Sequence, residues 1–170
     1  MTYKTQRPLF GLGYWLLIPL CLAGANCGDP AAGTWVSTSA PAASKDQYAS
    51  YMATLTFGDA KSVTVDLETK RSPGALVFAG CVESLMGTGT YTETGTTITS
   101  TFESGTNSRT DCVYPNDNLT SKSLDTASTD PKTSDGAAVA VLVSLSSGNF
   151  VIANNTLTLT GSASVKYEKQ

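Results

Sequence analysis

From Tyr51 to Phe57 the chain alternates. Tyr51, Ala53, Leu55 and Phe57 are apolar, and Met52, Thr54 and Thr56 stand between them. A period of two is the mark of a strand that turns one face to a core and the other to water. Gly58-Asp59-Ala60-Lys61 then supplies turn residues, after which Val63, Val65 and Leu67 resume the alternation against Ser62, Thr64 and Asp66. Together the two runs predict an antiparallel hairpin.

Further runs follow. Ala75–Val82 comes after the turn signal Ser72-Pro73-Gly74 and is apolar on both faces, which predicts a central or covered strand. Thr88–Glu93 and Thr96–Glu103, split by Thr94-Gly95, predict a second hairpin with Tyr91, Ile98 and Phe102 turned inward. From 114 to 136 the pattern breaks up into prolines and small polar residues with only two leucines, and this predicts a long surface loop. Ala138–Leu145, Phe150–Ala153, Thr156–Thr160 and Ser164–Tyr167 complete a series of roughly nine short strands with no amphipathic helix.

Consecutive hairpins make a meander. A meander of this length removes its exposed edges most simply by closing, so the expected fold is all-β, an antiparallel up-and-down barrel over 33–170, with a two-sheet sandwich as the alternative. Composition agrees: with 19 serines and 25 threonines the chain is rich in hydroxyls, and threonine, being β-branched, favours strands.

The first residues read differently. Lys4 and Arg7 precede the apolar run Pro8–Leu22, which gives way to Ala23-Gly24-Ala25. A cationic start, a short apolar stretch and an A-x-A site make an export signal of bacterial type over 1–25, with 26–32 as a flexible tether. A membrane-spanning anchor is the competing reading, but Leu9–Ala25 offers only 17 residues, three of them glycine and one proline. Loss of this leader removes two of the 11 cations and none of the 14 acids, so the formal charge moves from −3 to −5. A mildly acidic surface gives no reason to expect nucleic acid or anionic headgroups as partners.

Export also sets the redox setting of the cysteines. Cys21 lies in the leader, which leaves Cys27, Cys81 and Cys112 in an oxidising compartment. Cys81 and Cys112 both sit beside ordered-looking sequence and are expected to form a disulfide; two buried thiols are the alternative. Cys27 is then left over at the junction of leader and mature chain, where a bacterial lipoprotein carries its acylated cysteine. Cleavage after Ala25 with Cys27 unmodified is the other outcome.

Gly33-Thr34-Trp35, opening the first strand, resembles the G-x-W signature of lipocalin-like and other calycin barrels. Gly89-Thr90-Tyr91 and Asn155–Thr160 resemble the repeated strand openings of small bacterial lipocalin-like lipoproteins. The resemblance implies that Trp35 closes one end of a barrel, beneath a cation from a late strand for which Lys166 is the candidate. The pattern departs where Thr110-Asp111-Cys112 replaces the family's Thr-Asp-Tyr, and where a loop stands in place of its helix.

Catalytic chemistry finds little support. Histidine is absent, so the serines have only lysines or carboxylates as bases. Ser121-Lys122 and Lys61-Ser62 read as solvated loop residues, and Asp66 with Glu68 as the polar edge of one strand. No metal-ligand spacing occurs, and no cofactor or catalytic residue is assigned. The expectation is therefore an exported protein of the cell envelope, either tethered to the outer membrane through Cys27, periplasmic or secreted, and touching a membrane only through that tether. Its barrel interior, lined by Tyr51, Leu55, Phe57, Val63, Val65, Tyr91, Ile98 and Phe102, would hold a small apolar ligand. The alternative is a structural or interaction lipoprotein whose barrel is filled by those same side chains.

Overall fold

In the computed structural model, residues 29–41, 45–58, 60–162 and 164–170 are described. The export signal and the acylation of Cys27 lie outside them. The alternating runs become strands β1 (Gly33–Ser37), β2 (Tyr48–Phe57), β3 (Ser62–Arg71), β4 (Val82–Thr94) and β5 (Thr97–Thr110). After these come β6 (Leu119–Ser123), helix α1 (Ser134–Ser146), β7 (Gly148–Ala153), β8 (Thr156–Thr160) and β9 (Ser164–Lys169).

All pairings are antiparallel, and each strand from β1 to β5 pairs with the next. β7, β8 and β9 continue the meander, and β9 returns to β1 through Trp35 opposite Lys169. The last seam is short: Thr97 and Ile98 of β5 face Asn149 and Gly148 of β7. Eight strands thus close an up-and-down barrel, and β6 adds a ninth outside it, along the upper half of β5. Turn chemistry fits the sharp reversals, with Asn154 and Asn155 both at positive φ between β7 and β8.

The core lies inside the ring. Trp35, Leu55, Phe57, Val65, Tyr91, Ile98, Leu157 and Tyr167 are almost wholly buried and belong to one cluster. Inward and outward positions follow the period of two, so threonines face water on β2, β4 and β8.

Three segments differ from the sequence expectation. Ala138–Leu145 is part of helix α1 and not a strand. Its apolar run lacks alternation and lies within a helix of 13 residues, and such a run reads equally well as a buried helix. Thr133 caps it, its hydroxyl accepting from the Gly136 amide at 3.0 Å. The 114–136 stretch is only partly loop, since it contains β6, a short helical turn at Pro115–Asp117 and the start of α1.

Ala75–Val82 is not a strand either, apart from Val82, which begins β4. It forms a connection in which Phe78 and Gly80 adopt positive φ and Leu76 is 91% exposed. Two of its backbone bonds are local, from Gly80 N to Ser72 O and from Cys81 N to Phe78 O, and a third reaches Ala79 O from Val113 N. Cys81 bridges Cys112, which ties this connection to the segment that follows β5.

Where β5 and β7 part, α1 fills the gap, packed chiefly on β5 and also against β2, β3 and β4. Its C-terminal turn is fastened from within: Tyr167 Oη donates to Leu145 O at 2.8 Å and Ser100 Oγ to Ser146 O at 2.9 Å. Gly87 lets the helix approach, because a Cβ there would stand 2.5 Å from Leu142 Cδ1 and 2.8 Å from Phe102 Cδ1.

Candidate site at the helix-covered mouth

The two ends of the barrel differ. At one end, the turn at Asp29–Ala32 folds under the opening, with Ala31 fully buried and its carbonyl accepting from Trp35 Nε1 at 2.8 Å. Over these four residues the expected tether is part of the barrel floor. Lys169 stands 5.3 Å over the Trp35 ring. The cation is therefore Lys169 and not Lys166: Val165, Tyr167 and Lys169 share the inward phase of β9, whereas Lys166 takes the exposed outward one.

An ionic clasp seals the same end. Asp29 accepts hydrogen bonds from Lys61 and from the Tyr91 hydroxyl, and Glu93 lies 3.7 Å from Lys61. Burial alone would raise the Asp29 carboxyl, but the bonds from Lys61, Tyr91 and the Ala31 amide outweigh it and hold the group at about 2. Glu93 is pushed up, by burial first and by Asp29 next. A depressed carboxyl stabilises the fold above its ordinary value of 3.8, and that contribution is lost as pH falls towards 2. The stability advantage of the wild type over Asp29→Asn is accordingly expected to shrink between pH 4 and pH 2, read from urea midpoints at each pH. An advantage that stays constant over that range would refute the clasp.

The opposite end holds a cavity of about 290 Å³ beneath α1. Leu67, Leu85, Ala137, Ala138 and Val141 give it an apolar lining, with the Tyr48 and Phe78 rings beside them. Its polar lining comes from the ends of β3, β4 and β5: Thr69, Arg71, Glu83, Asn107 and Arg109, with Ser134 at the start of α1. The strand period explains why charged groups face inward here. Val63, Val65, Leu67, Thr69 and Arg71 all share one phase, so β3 carries its arginine on the core face at the rim.

Arg71 is held by Glu83, Gln47 and Tyr48. Its Nε is 2.7 Å from Glu83 Oε2, its Nη1 donates to Gln47 Oε1 at 3.2 Å, and its guanidinium lies 4.4 Å over Tyr48. Thr69 donates a further bond to Glu83 at 3.4 Å. Arg109 behaves otherwise: it stacks on Phe78 with Cζ 3.6 Å from the ring centroid, and its buried Nε has no hydrogen-bond partner among the described residues. Burial pushes the Tyr48 hydroxyl up, against the opposing pull of Arg71.

The residues expected to line a ligand site lie elsewhere. Tyr51, Leu55, Phe57, Val63, Val65, Tyr91, Ile98 and Phe102 all belong to the packed core, and none of them lines the mouth cavity. Tyr51 and Tyr167 are deeply buried, which drives both hydroxyls far above the usual tyrosine range. Asp66 and Glu68 sit on the outward face of β3, separate from the cavity. Sequence reading passed over Arg71, Glu83 and Arg109. A signal was present, because extending the alternation of β3 past Leu67 places Arg71 inside.

At the edge of the cavity Ser134 receives a hydrogen bond from Lys122 at 3.4 Å and donates one to Asp135 Oδ1 at 3.3 Å, and Lys122 and Asp135 are themselves paired at 2.6 Å. Among the described residues no group of three or more Cys, Asp or Glu side chains gathers as a metal site. Comparison of the chain with protein-family models, with curated proteins and with solved structures gives no match.

Proposed function

We propose that this chain is a non-catalytic binding barrel of lipocalin-like, calycin type, exported to the bacterial cell envelope and tethered there through Cys27 or free in the periplasm. It holds one small, mainly apolar ligand under α1 at the barrel mouth. The observation that carries this reading is the contrast between the interior, filled by packed side chains, and the mouth, where apolar walls surround about 290 Å³ of space with a few polar groups converging on it. That is the ordinary character of a small-molecule site, at the lower end of the usual size.

A second reading has its own support. Leu76, Val77, Val113 and Tyr114 are exposed, by 91%, 52%, 54% and 63%, on the two segments that the disulfide joins. Such a patch suits a protein partner, with the barrel as its scaffold.

Filling the cavity tests the first reading. Val141→Trp places an indole from α1 into the space, where Val141 is already 39% exposed. Native mass spectrometry of protein purified from its own envelope is expected to show a small bound mass in the wild type, and that mass is expected to vanish in the variant while the circular dichroism is unchanged. Wild type that carries no mass and takes up none of a panel of small apolar compounds would overturn the proposal.

A further inference from the structure

We infer that the ligand of the mouth cavity is an apolar monocarboxylate and that Arg109 receives its carboxylate. The inference rests on the binding reading above and deepens it. Arg7, Arg71 and Arg109 are the only arginines in the sequence, and the two beyond the leader both line this one cavity. Arginine presents a rigid fork of donors that matches a carboxylate.

The two guanidiniums are not equivalent. Glu83 stands directly across the β4–β5 ladder from Arg109, yet its carboxylate pairs with Arg71. One acid therefore serves two cations, and the cavity keeps one surplus positive charge. Arg109 has no carboxylate within ion-pair distance among the described residues, and its Nε is buried without an acceptor. Leaving such a donor dry and unmade is costly, and an arriving oxygen atom would satisfy it.

Stacking on Phe78 occupies one face of the guanidinium. The N–H groups lie in its plane, so the ring takes none of them, and the residue itself lines the cavity. Charge balance selects a single negative charge, because a dianion would leave the site negative beside Glu83. Apolar walls at Leu67, Leu85 and Val141 receive the rest of the molecule. At roughly 30 Å³ per water the cavity has the volume of about ten waters, which sets the ligand at on the order of ten non-hydrogen atoms.

The test uses octanoate and phenylacetate against their neutral counterparts 1-octanol and 2-phenylethanol, titrated calorimetrically at pH 7 into the disulfide-bonded protein. The acids are expected to bind at least tenfold more tightly than the alcohols. In Arg109→Met that preference is expected to disappear through loss of acid affinity, with the alcohols bound as before. Arg109→Lys, which keeps the charge and loses the fork, is expected to fall between them, and it decides the matter if the methionine variant does not fold. Equal binding of acid and alcohol by the wild type, or an acid preference that survives both substitutions, overturns the assignment of the head group and leaves the binding barrel standing. Wild type that binds neither acid nor alcohol removes the binding reading, and this inference falls with it.

Discussion

Replacing Trp35 with alanine is expected to lower the stability of the barrel by about 4 kcal/mol, the middle of the range for removing a large aromatic from a core. Trp35 is 1% exposed and sits where the ring closes, opposite Leu55 on one side and Lys169 on the other. Truncation opens a cavity between β1, β2 and β9. It also leaves the Ala31 carbonyl without its indole donor at 2.8 Å and removes the ring beneath Lys169. Trp35→Phe fills much of the volume and lacks the donor, so it is expected to cost clearly less. Since Trp35 is the only tryptophan among the described residues, urea unfolding is best followed by far-ultraviolet circular dichroism. A loss below about 1.5 kcal/mol, in the range of tolerated core swaps, would show that ring closure does not depend on this residue.

The legible parts of this fold are those where one physical rule acts alone. Tyr51–Phe57 and Val63–Leu67 alternate because each has one wet face and one dry face, so strand, register and inward residues were all readable. The same rule marked Tyr91, Ile98 and Phe102 as inward, and the expected bridge between Cys81 and Cys112 is present.

Legibility failed where two rules give the same pattern. Ala138–Leu145 is apolar but for Ser144 because α1 sits against the barrel on one side and lines the mouth cavity on another, and such an apolar run does not separate helix from strand. Ala75–Ala79 is apolar for a different reason, as the segment carries exposed Leu76 and Val77 next to the disulfide instead of a sheet face.

The candidate site was hidden by the same ambiguity. Apolar inward residues could line a cavity or fill one, and alternation is silent on which. Volume decided it: Leu142 and Leu145 of α1 complete the packing of the middle of the barrel, so the space moved to the rim, at the ends of β3, β4 and β5. The polar residues at those strand ends carried no motif that marks them in sequence. In three dimensions Arg71, Glu83 and Arg109 turn inward beneath a helix that the alternation did not announce.

Breaking the Cys81–Cys112 bridge is expected to cost about 3.5 kcal/mol, the chain-entropy value for a loop of this size, whose cysteines are 31 residues apart. Cys81→Ala with Cys112→Ala, or reduction of the wild type, is expected to shift the urea midpoint by the same amount, since both remove the same cross-link. The loss should be uneven. Phe78 and Arg109 each lie three residues from a bridged cysteine, and each forms one half of the stacked pair at the mouth. Without the bridge, the connection before β4 is held at its far end mainly by the bond from Val113 N to Ala79 O at 2.9 Å. Hydrogen exchange in the reduced protein is therefore expected to quicken first in residues 72–81 and 111–118, while amides of β2 and β3 stay protected. Binding at the mouth is expected to weaken in step, because the ring that orients Arg109 is no longer fixed. Equal loss of protection across the barrel, or ligand affinity untouched by reduction, would mean that the bridge stabilises the fold without shaping the site.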